Sequence, residues 1–213
     1  MRVPRAVVLD WGGVVTLMPD PDDFARLGAA CGLSADSLEA AWLGPRLDYD
    51  CGVLSAGEYW RRVGLTDELR LDDVLAVDAE CWSRPNLPVA EWLPRLKRAG
   101  FATGLLSNVP REQWFRLAGV YDRWLSHCDC LTLSFEAGCA KPDETIYRRC
   151  LDCLGREPRD VLFVDDRPEN VEAASALGLQ AILFTGVEPL REELAARYGD
   201  ALPAPPADAG ERP

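Results

Sequence analysis

Residues 161–178 read VLFVDDRPENVEAASALG. Four apolar residues, Val161 to Val164, run into the acid pair Asp165-Asp166. Pro168 opens a segment with helical periodicity, and Gly178 stops it at Leu177. A short continuous apolar run bounded in this way is the pattern of a strand buried on both faces, followed by a helix. The same unit recurs on either side. Ala6 to Leu9 is a short apolar run ending at Asp10, with the turn pair Gly12-Gly13 behind it. Phe101 to Leu106 ends at Ser107-Asn108, and a helix carrying Trp114, Leu117 and Ala118 follows Pro110. Cys128 to Leu133 and Gln180 to Phe184 complete five predicted strands, with helices opened by Asp143 and spanning about 189–198.

Strands alternating with helices predict an α/β fold: a Rossmann-like, three-layer parallel sheet with helices on both faces. Ligands of such sheets sit at the carboxyl ends of the strands. Asp10, Ser107, Asn108, Asp165 and Asp166 are all expected there, with Lys141 in a loop before a helix. Between the first two strands the pattern is helical only, with apolar stripes at Phe24, Leu27 and Cys31, at Leu38, Ala41 and Trp42, at Tyr59, Trp60 and Val63, and at Leu71, Val74, Leu75 and Trp82. Ser55 with Glu58 three residues on is a capping box. Val89, Trp92, Leu93 and Leu96 share one helical face, with Gly100 as the stop. The expected organisation is a core of residues 1–17 and 88–200, an inserted helical unit of 18–87, and a disordered Pro/Ala-rich tail of 201–213.

The chain has 213 residues and a formal net charge of -12, which excludes nucleic acid as a partner. No apolar run reaches membrane-spanning length, and no signal peptide is read at the N-terminus, so a cytoplasmic protein is expected. Its eight cysteines are therefore expected to be reduced. Cys150 and Cys153 form a CxxC, but they share a stripe with Ile146 and Leu154 and read as core thiols. His127 is the only histidine, so a His-rich metal site is excluded. The only lysines are Lys97 and Lys141. Nothing in the sequence specifies an oligomeric state.

Four segments together resemble the haloacid dehalogenase (HAD) superfamily, in its subgroup with a helical cap between the first two motifs. They are Leu9-Asp10-Trp11-Gly12-Gly13-Val14-Val15, Leu106-Ser107-Asn108, Lys141-Pro142-Asp143 with Ile146-Tyr147 behind, and Phe163-Val164-Asp165-Asp166-Arg167-Pro168-Glu169-Asn170-Val171. The resemblance implies a Mg²⁺-dependent hydrolase of small phosphorylated metabolites, sugar phosphates among them. Asp10 would be the nucleophile that carries the phosphoryl group. Asp10, the backbone carbonyl of Gly12, Asp165 and Asp166 would surround the metal. Ser107 and Asn108 would bind phosphate oxygens, and Lys141 would pair with both Asp10 and the phosphate.

The chain departs from the family at one position. Most family phosphatases carry a second aspartate two residues after the nucleophile, where it protonates the leaving group and later activates water. Here that residue is Gly12. A phosphatase with this gap is expected to favour good leaving groups or to take its proton from the cap side, where Glu58 or Glu136 are options. If the missing acid limits turnover, Gly12→Asp is expected to speed hydrolysis of alkyl phosphates. The alternative is a non-catalytic phosphometabolite-binding protein. A 2-haloacid dehalogenase is less favoured, because that chemistry needs no metal and Asp165-Asp166 would be superfluous. Arg46 reads as a solvated cap arginine rather than a halide contact. Phosphonate cleavage needs a cap lysine, and residues 18–87 contain none. Arg111 and Arg167 read as solvated, and the Trp11 indole either lines the pocket or packs beneath the cap.

Overall fold

The structure, a computed structural model, describes residues 2–207. Five parallel strands form one sheet: β1 (Ala6–Leu9), β2 (Ala102–Ser107), β3 (Cys130–Leu133), β4 (Val161–Asp165) and β5 (Gln180–Leu183). Their order is β3-β2-β1-β4-β5. The helices in chain order are α1 (Pro21–Cys31), α2 (Ala35–Trp42), α3 (Arg46–Asp50), α4 (Ala56–Val63), α5 (Leu71–Cys81), α6 (Leu87–Ala90), α7 (Trp92–Arg98), α8 (Arg111–Leu125), α9 (Ser134–Ala137), α10 (Glu144–Leu154), α11 (Pro168–Ala176) and α12 (Val187–Tyr198).

The central strand shows why its sequence is apolar throughout. Side chains alternate across a sheet, and Val7 and Leu9 join one core cluster while Ala6 and Val8 join the other. The first face is covered by α8 through Trp114, Leu117 and Tyr121 and by α12 through Leu190 and Leu194. The second is covered by α10 through Ile146, Tyr147 and Cys150 and by Ala174 of α11. Each fully buried Val or Leu here contributes roughly 1.5–3 kcal/mol relative to exposure. The helical stripes of α1, α2, α4 and α5 extend the first of these clusters. The predicted capping box starts α4, with Ser55 Oγ accepting from Glu58 N at 3.3 Å and Glu58 answering to Ser55 N at 2.9 Å. The two segments joining the helical block to the sheet lie side by side. Leu17 N donates to Arg84 O at 2.8 Å and Asn86 N to Val15 O at 2.9 Å.

Several expectations need correction. The helix expected through Val89–Leu96 is broken at Glu91 into α6 and α7, because Pro94 has no N–H for the Ala90 carbonyl one turn back. The third strand begins at Cys130 rather than Cys128, whose N–H closes the end of α8 by donating to Leu125 O at 2.9 Å. Cys153 is not a core thiol. Cys150 faces the sheet and is buried, whereas Cys153 reaches the edge strand β3 and forms a disulfide with Cys130. The start of the expected disordered tail packs on the core: Leu202 is buried and Trp92 Nε1 donates to Pro203 O at 2.5 Å. Residues 208–213 of that tail lie outside the described residues. Among the described residues, no helix is long and apolar enough to cross a membrane.

Candidate active site

Strand register brings the motif residues together. Leu9 pairs with Val164 on one side and Leu105 on the other. Asp10 therefore leaves β1 beside Asp165 at the end of β4, and Ser107, two residues past Leu105, ends β2 close by. Asp10 N continues the ladder by donating to Val164 O at 2.9 Å.

Lys141, from the loop before α10, enters this group with its side chain 1% exposed. Its Nζ lies 2.6 Å from Asp10 Oδ1 and 2.7 Å from Asp165 Oδ2. Asn108 holds the Lys141 backbone at both ends, with Nδ2 donating to Lys141 O at 2.9 Å and Oδ1 accepting from Lys141 N at 2.8 Å. One Asn108 amide proton remains for a ligand. Asp165 Oδ1 accepts from Arg167 N and from Asn170 Nδ2, each at 2.9 Å. Asn170, in the first turn of α11, ties the start of that helix to the end of β4, a role the sequence pattern alone does not assign. Ser107 Oγ is buried with no hydrogen-bond partner and, unlike Asn108, does not line the cavity above the cluster.

Carboxylate oxygens of Asp10, Asp165 and Asp166 all lie within 4.8 Å of one another. Burial pushes the Asp10 carboxyl well above the usual carboxylate range, with Lys141 opposing and Asp165 adding. Asp166 is also raised, by burial and then by Asp165. Burial works to lower the Lys141 pKa, but Asp10 and Asp165 outweigh it and hold the ammonium above its ordinary value. Three carboxylates around one ammonium leave excess negative charge. Hard oxygen ligands in this arrangement suit Mg²⁺ or Ca²⁺, and a divalent cation would neutralise the excess.

Above the cluster is a cavity of about 300 Å³. Its floor is Asp10, Gly12, Asn108, Lys141 and Asp166, and its far wall comes from the helical block: Trp42, Leu43, Arg46, Asp50 and Trp82. Arg46 is not solvated; its side chain is 12% exposed and bonded to Asp50. Its guanidinium also sits over the Trp42 ring, 4.7 Å from the centroid. Glu58 and Glu136 do not line the cavity; Glu58 is exposed and occupied by its cap. Arg167 does line it while keeping a 63% exposed side chain. Arg111 lies over Phe115 and Phe135 instead. The Trp11 indole does not line the cavity; it packs edge-on against Trp114 and Tyr121 of α8.

Gly12 has a steric reason. A Cβ there would stand 2.9 Å from Trp82 Cζ3, a distance real side chains do not tolerate. Trp82 is 8% exposed and stacks on Trp42. Gly12→Asp is therefore expected to cost about 1–3 kcal/mol by overpacking and to bring no rate gain. Thermal denaturation of Gly12→Asp with and without Trp82→Ala checks this: the clash requires the cost of the first change to shrink in the presence of the second.

Residues 4–178 match the haloacid dehalogenase-like hydrolase family. The chain belongs to that family. Among curated relatives, bifunctional epoxide hydrolase 2 of Sus scrofa is 28% identical over 95% of this chain, which spans only 40% of that longer protein. The (S)-2-haloacid dehalogenase 4A of Burkholderia cepacia is 29% identical, with 84% of this chain and 81% of that protein aligned. A HAD family enzyme from Bacteroides thetaiotaomicron, crystallised with magnesium and inorganic phosphate, shares the fold with a TM-score of 0.66. It is 19% identical over 84% of this chain and 93% of its own. This HAD-family hydrolase thus has its four motifs converging on one cavity.

Proposed function

We propose that this protein is a Mg²⁺-dependent phosphatase of small phosphorylated metabolites, working through an aspartyl phosphate on Asp10. The observation that carries the reading is the Asp10–Lys141 pair grouped with the carboxylates of Asp165 and Asp166, with Asp10, Lys141 and Asp166 opening on one cavity. Asp10, Asp165 and Asp166, with the Gly12 carbonyl, would hold the cation, as the Mg²⁺- and phosphate-bound Bacteroides relative encourages. Mg²⁺ would supply charge neutralisation for the transferring phosphoryl group. Lys141 opposes the burial that favours the neutral Asp10 carboxyl and offers its charge to phosphate oxygens. The free Asn108 amide proton orients those oxygens, and the unpartnered Ser107 Oγ would join it as a second donor once substrate is bound. Asp10 then attacks phosphorus as the ester bond breaks. Water later cleaves the aspartyl phosphate and releases inorganic phosphate.

The helical block of 18–87 acts as the cap on the core of 1–17 and 88–200. Its paired connectors near 14–20 and 83–88 form the hinge, and closure presents Trp42 and Arg46 to the substrate body. The small cavity and the acidic chain favour single phosphates on compact bodies. The Burkholderia relative favours a second reading, 2-haloacid dehalogenation, which a metal-fit carboxylate cluster opposes. The test is a panel of p-nitrophenyl phosphate, acetyl phosphate, glucose 1-phosphate, glucose 6-phosphate and 2-chloropropionate, with Mg²⁺ or with EDTA. Mg²⁺-dependent phosphate release lost in EDTA is expected. Halide release indifferent to EDTA would replace the reading with the second. Binding without turnover would make the protein a phosphometabolite-binding member of the family.

A further inference from the structure

We propose that Asp50 is the proton-transfer residue of this site, acting from the helical block in place of the acid absent at position 12. The inference rests on the phosphatase reading above and assigns a residue that reading leaves open.

An acid at position 12 would place its Cβ 2.9 Å from Trp82 Cζ3, so Trp82 would have to shift to admit it. Among the described residues, the carboxylates lining the cavity are Asp10, Asp50 and Asp166. Asp10 is the nucleophile and Asp166 belongs to the metal-fit cluster, which leaves Asp50, the lining carboxylate contributed by the helical block.

Asp50 is also held as a proton carrier needs to be. It ends α3 and is 6% exposed. Arg46 Nε donates to Oδ1 at 2.8 Å, while Oδ2 accepts no hydrogen bond among the described residues. An arginine on one oxygen leaves the other as the site for the proton. Arg46 is itself tied to the core, since its Nη2 donates to Gln113 Oε1 of α8 at 2.9 Å. Ser134 Oγ donates to the Asp50 backbone carbonyl at 2.5 Å. Asp50 thus belongs to the helical block but is tied to the core through Arg46–Gln113 and through Ser134. Burial raises its carboxyl above the ordinary range, against the pull of Arg46 and then of Arg167 and Lys141. Asp78 of α5, Tyr59 of α4 and Cys51 also feel its charge.

An Asp10 oxygen forms a bond to phosphorus as the phosphorus–oxygen bond to the leaving group breaks. That electron pair stays on the departing oxygen, which takes the proton from Asp50 Oδ2. The resulting Asp50 carboxylate then takes a proton from water as the water oxygen attacks phosphorus. Asp10 leaves as a carboxylate, inorganic phosphate is released, and Asp50 is again protonated.

The experiment compares kcat/KM for an alkyl phosphate and for p-nitrophenyl phosphate, across pH, in the full chain and in Asp50→Asn and Asp50→Glu, all with Mg²⁺. Because kcat/KM reports the first bond cleavage, only a leaving group that needs a proton senses the loss. In Asp50→Asn the alkyl value is expected to fall about 10²–10⁴-fold, and the p-nitrophenyl value far less. The alkaline decline of the alkyl profile, where the acid loses its proton, disappears with it. Asp50→Glu restores part of the alkyl rate, and that recovery still reads the role if the Asn variant does not fold. Equal losses on both substrates with an unchanged pH profile, or no loss, would overturn the assignment while leaving the phosphatase reading standing. Absence of Mg²⁺-dependent release by the unsubstituted protein would overturn both.

Discussion

Asp10→Asn is expected to lower phosphate release by on the order of 10⁴-fold or more, the scale seen when a covalent nucleophile is removed from a catalytic unit. The carboxamide keeps the size of the carboxylate and can still accept from Trp11 N, which lies 2.7 Å from Asp10 Oδ1. What it loses is nucleophilicity and one negative charge. That charge sits in a buried group of three carboxylates facing a single ammonium, so its removal relieves repulsion. Without divalent cation the variant is therefore expected to melt no lower than the parent, and to gain less when Mg²⁺ is added. Loss of activity with unchanged or higher thermal stability separates a chemical role from a structural one. Activity retained in Asp10→Asn would remove the basis of the mechanism.

Lys141→Met carries the second large effect, in both stability and rate. The Lys141 ammonium is buried and makes ion pairs to Asp10 at 2.6 Å and Asp165 at 2.7 Å. Removing it strands buried carboxylates without their counter-charge, a change that costs about 3–5 kcal/mol. The sign with pH follows from what remains. Unpaired carboxylates in the folded state bind protons more tightly than in the unfolded chain, so the variant recovers stability as pH falls from neutrality. Mg²⁺ is expected to restore part of the loss at neutral pH. Turnover drops about 10²–10³-fold, as for other preorganised charge contacts to a transferring group. Urea denaturation at two pH values, with and without Mg²⁺, checks both signs. A variant as stable as the parent in EDTA would contradict the ion-pair account.

The parallel sheet was legible because a buried strand writes itself locally. Ala6–Leu9 and Val161–Val164 are apolar without a break, and each ends in an acid. Once such strands lie in register, their terminal residues become neighbours, so Asp10, Ser107 and Asp165 could be expected at one edge. The cavity's far wall was not legible in the same way. The periodicity of α2 and α5 showed which faces are apolar, not what those faces meet. Trp42 and Trp82 read as stripe residues, yet both line the cavity, and Trp82 accounts for Gly12. Arg46 and Asp50 lie on a helix of five residues, too short for a pattern. Their burial depends on Gln113 and Ser134, 67 and 84 residues away in the chain. The Cys130–Cys153 link was hidden for a similar reason: the stripe through Cys150 is real, but the next cysteine faces a strand edge that only the tertiary fold brings near.

The central claim, that Asp10 carries the phosphoryl group, is tested most directly by trapping it. A phosphate ester labelled on its phosphoryl group is mixed with enzyme and Mg²⁺, quenched in acid during turnover, and the protein is mapped for label. The account predicts label on the peptide containing Asp10, released by hydroxylamine and absent from Asp10→Asn. Turnover with label confined to free phosphate at every quench time, or fixed to another residue, would contradict it.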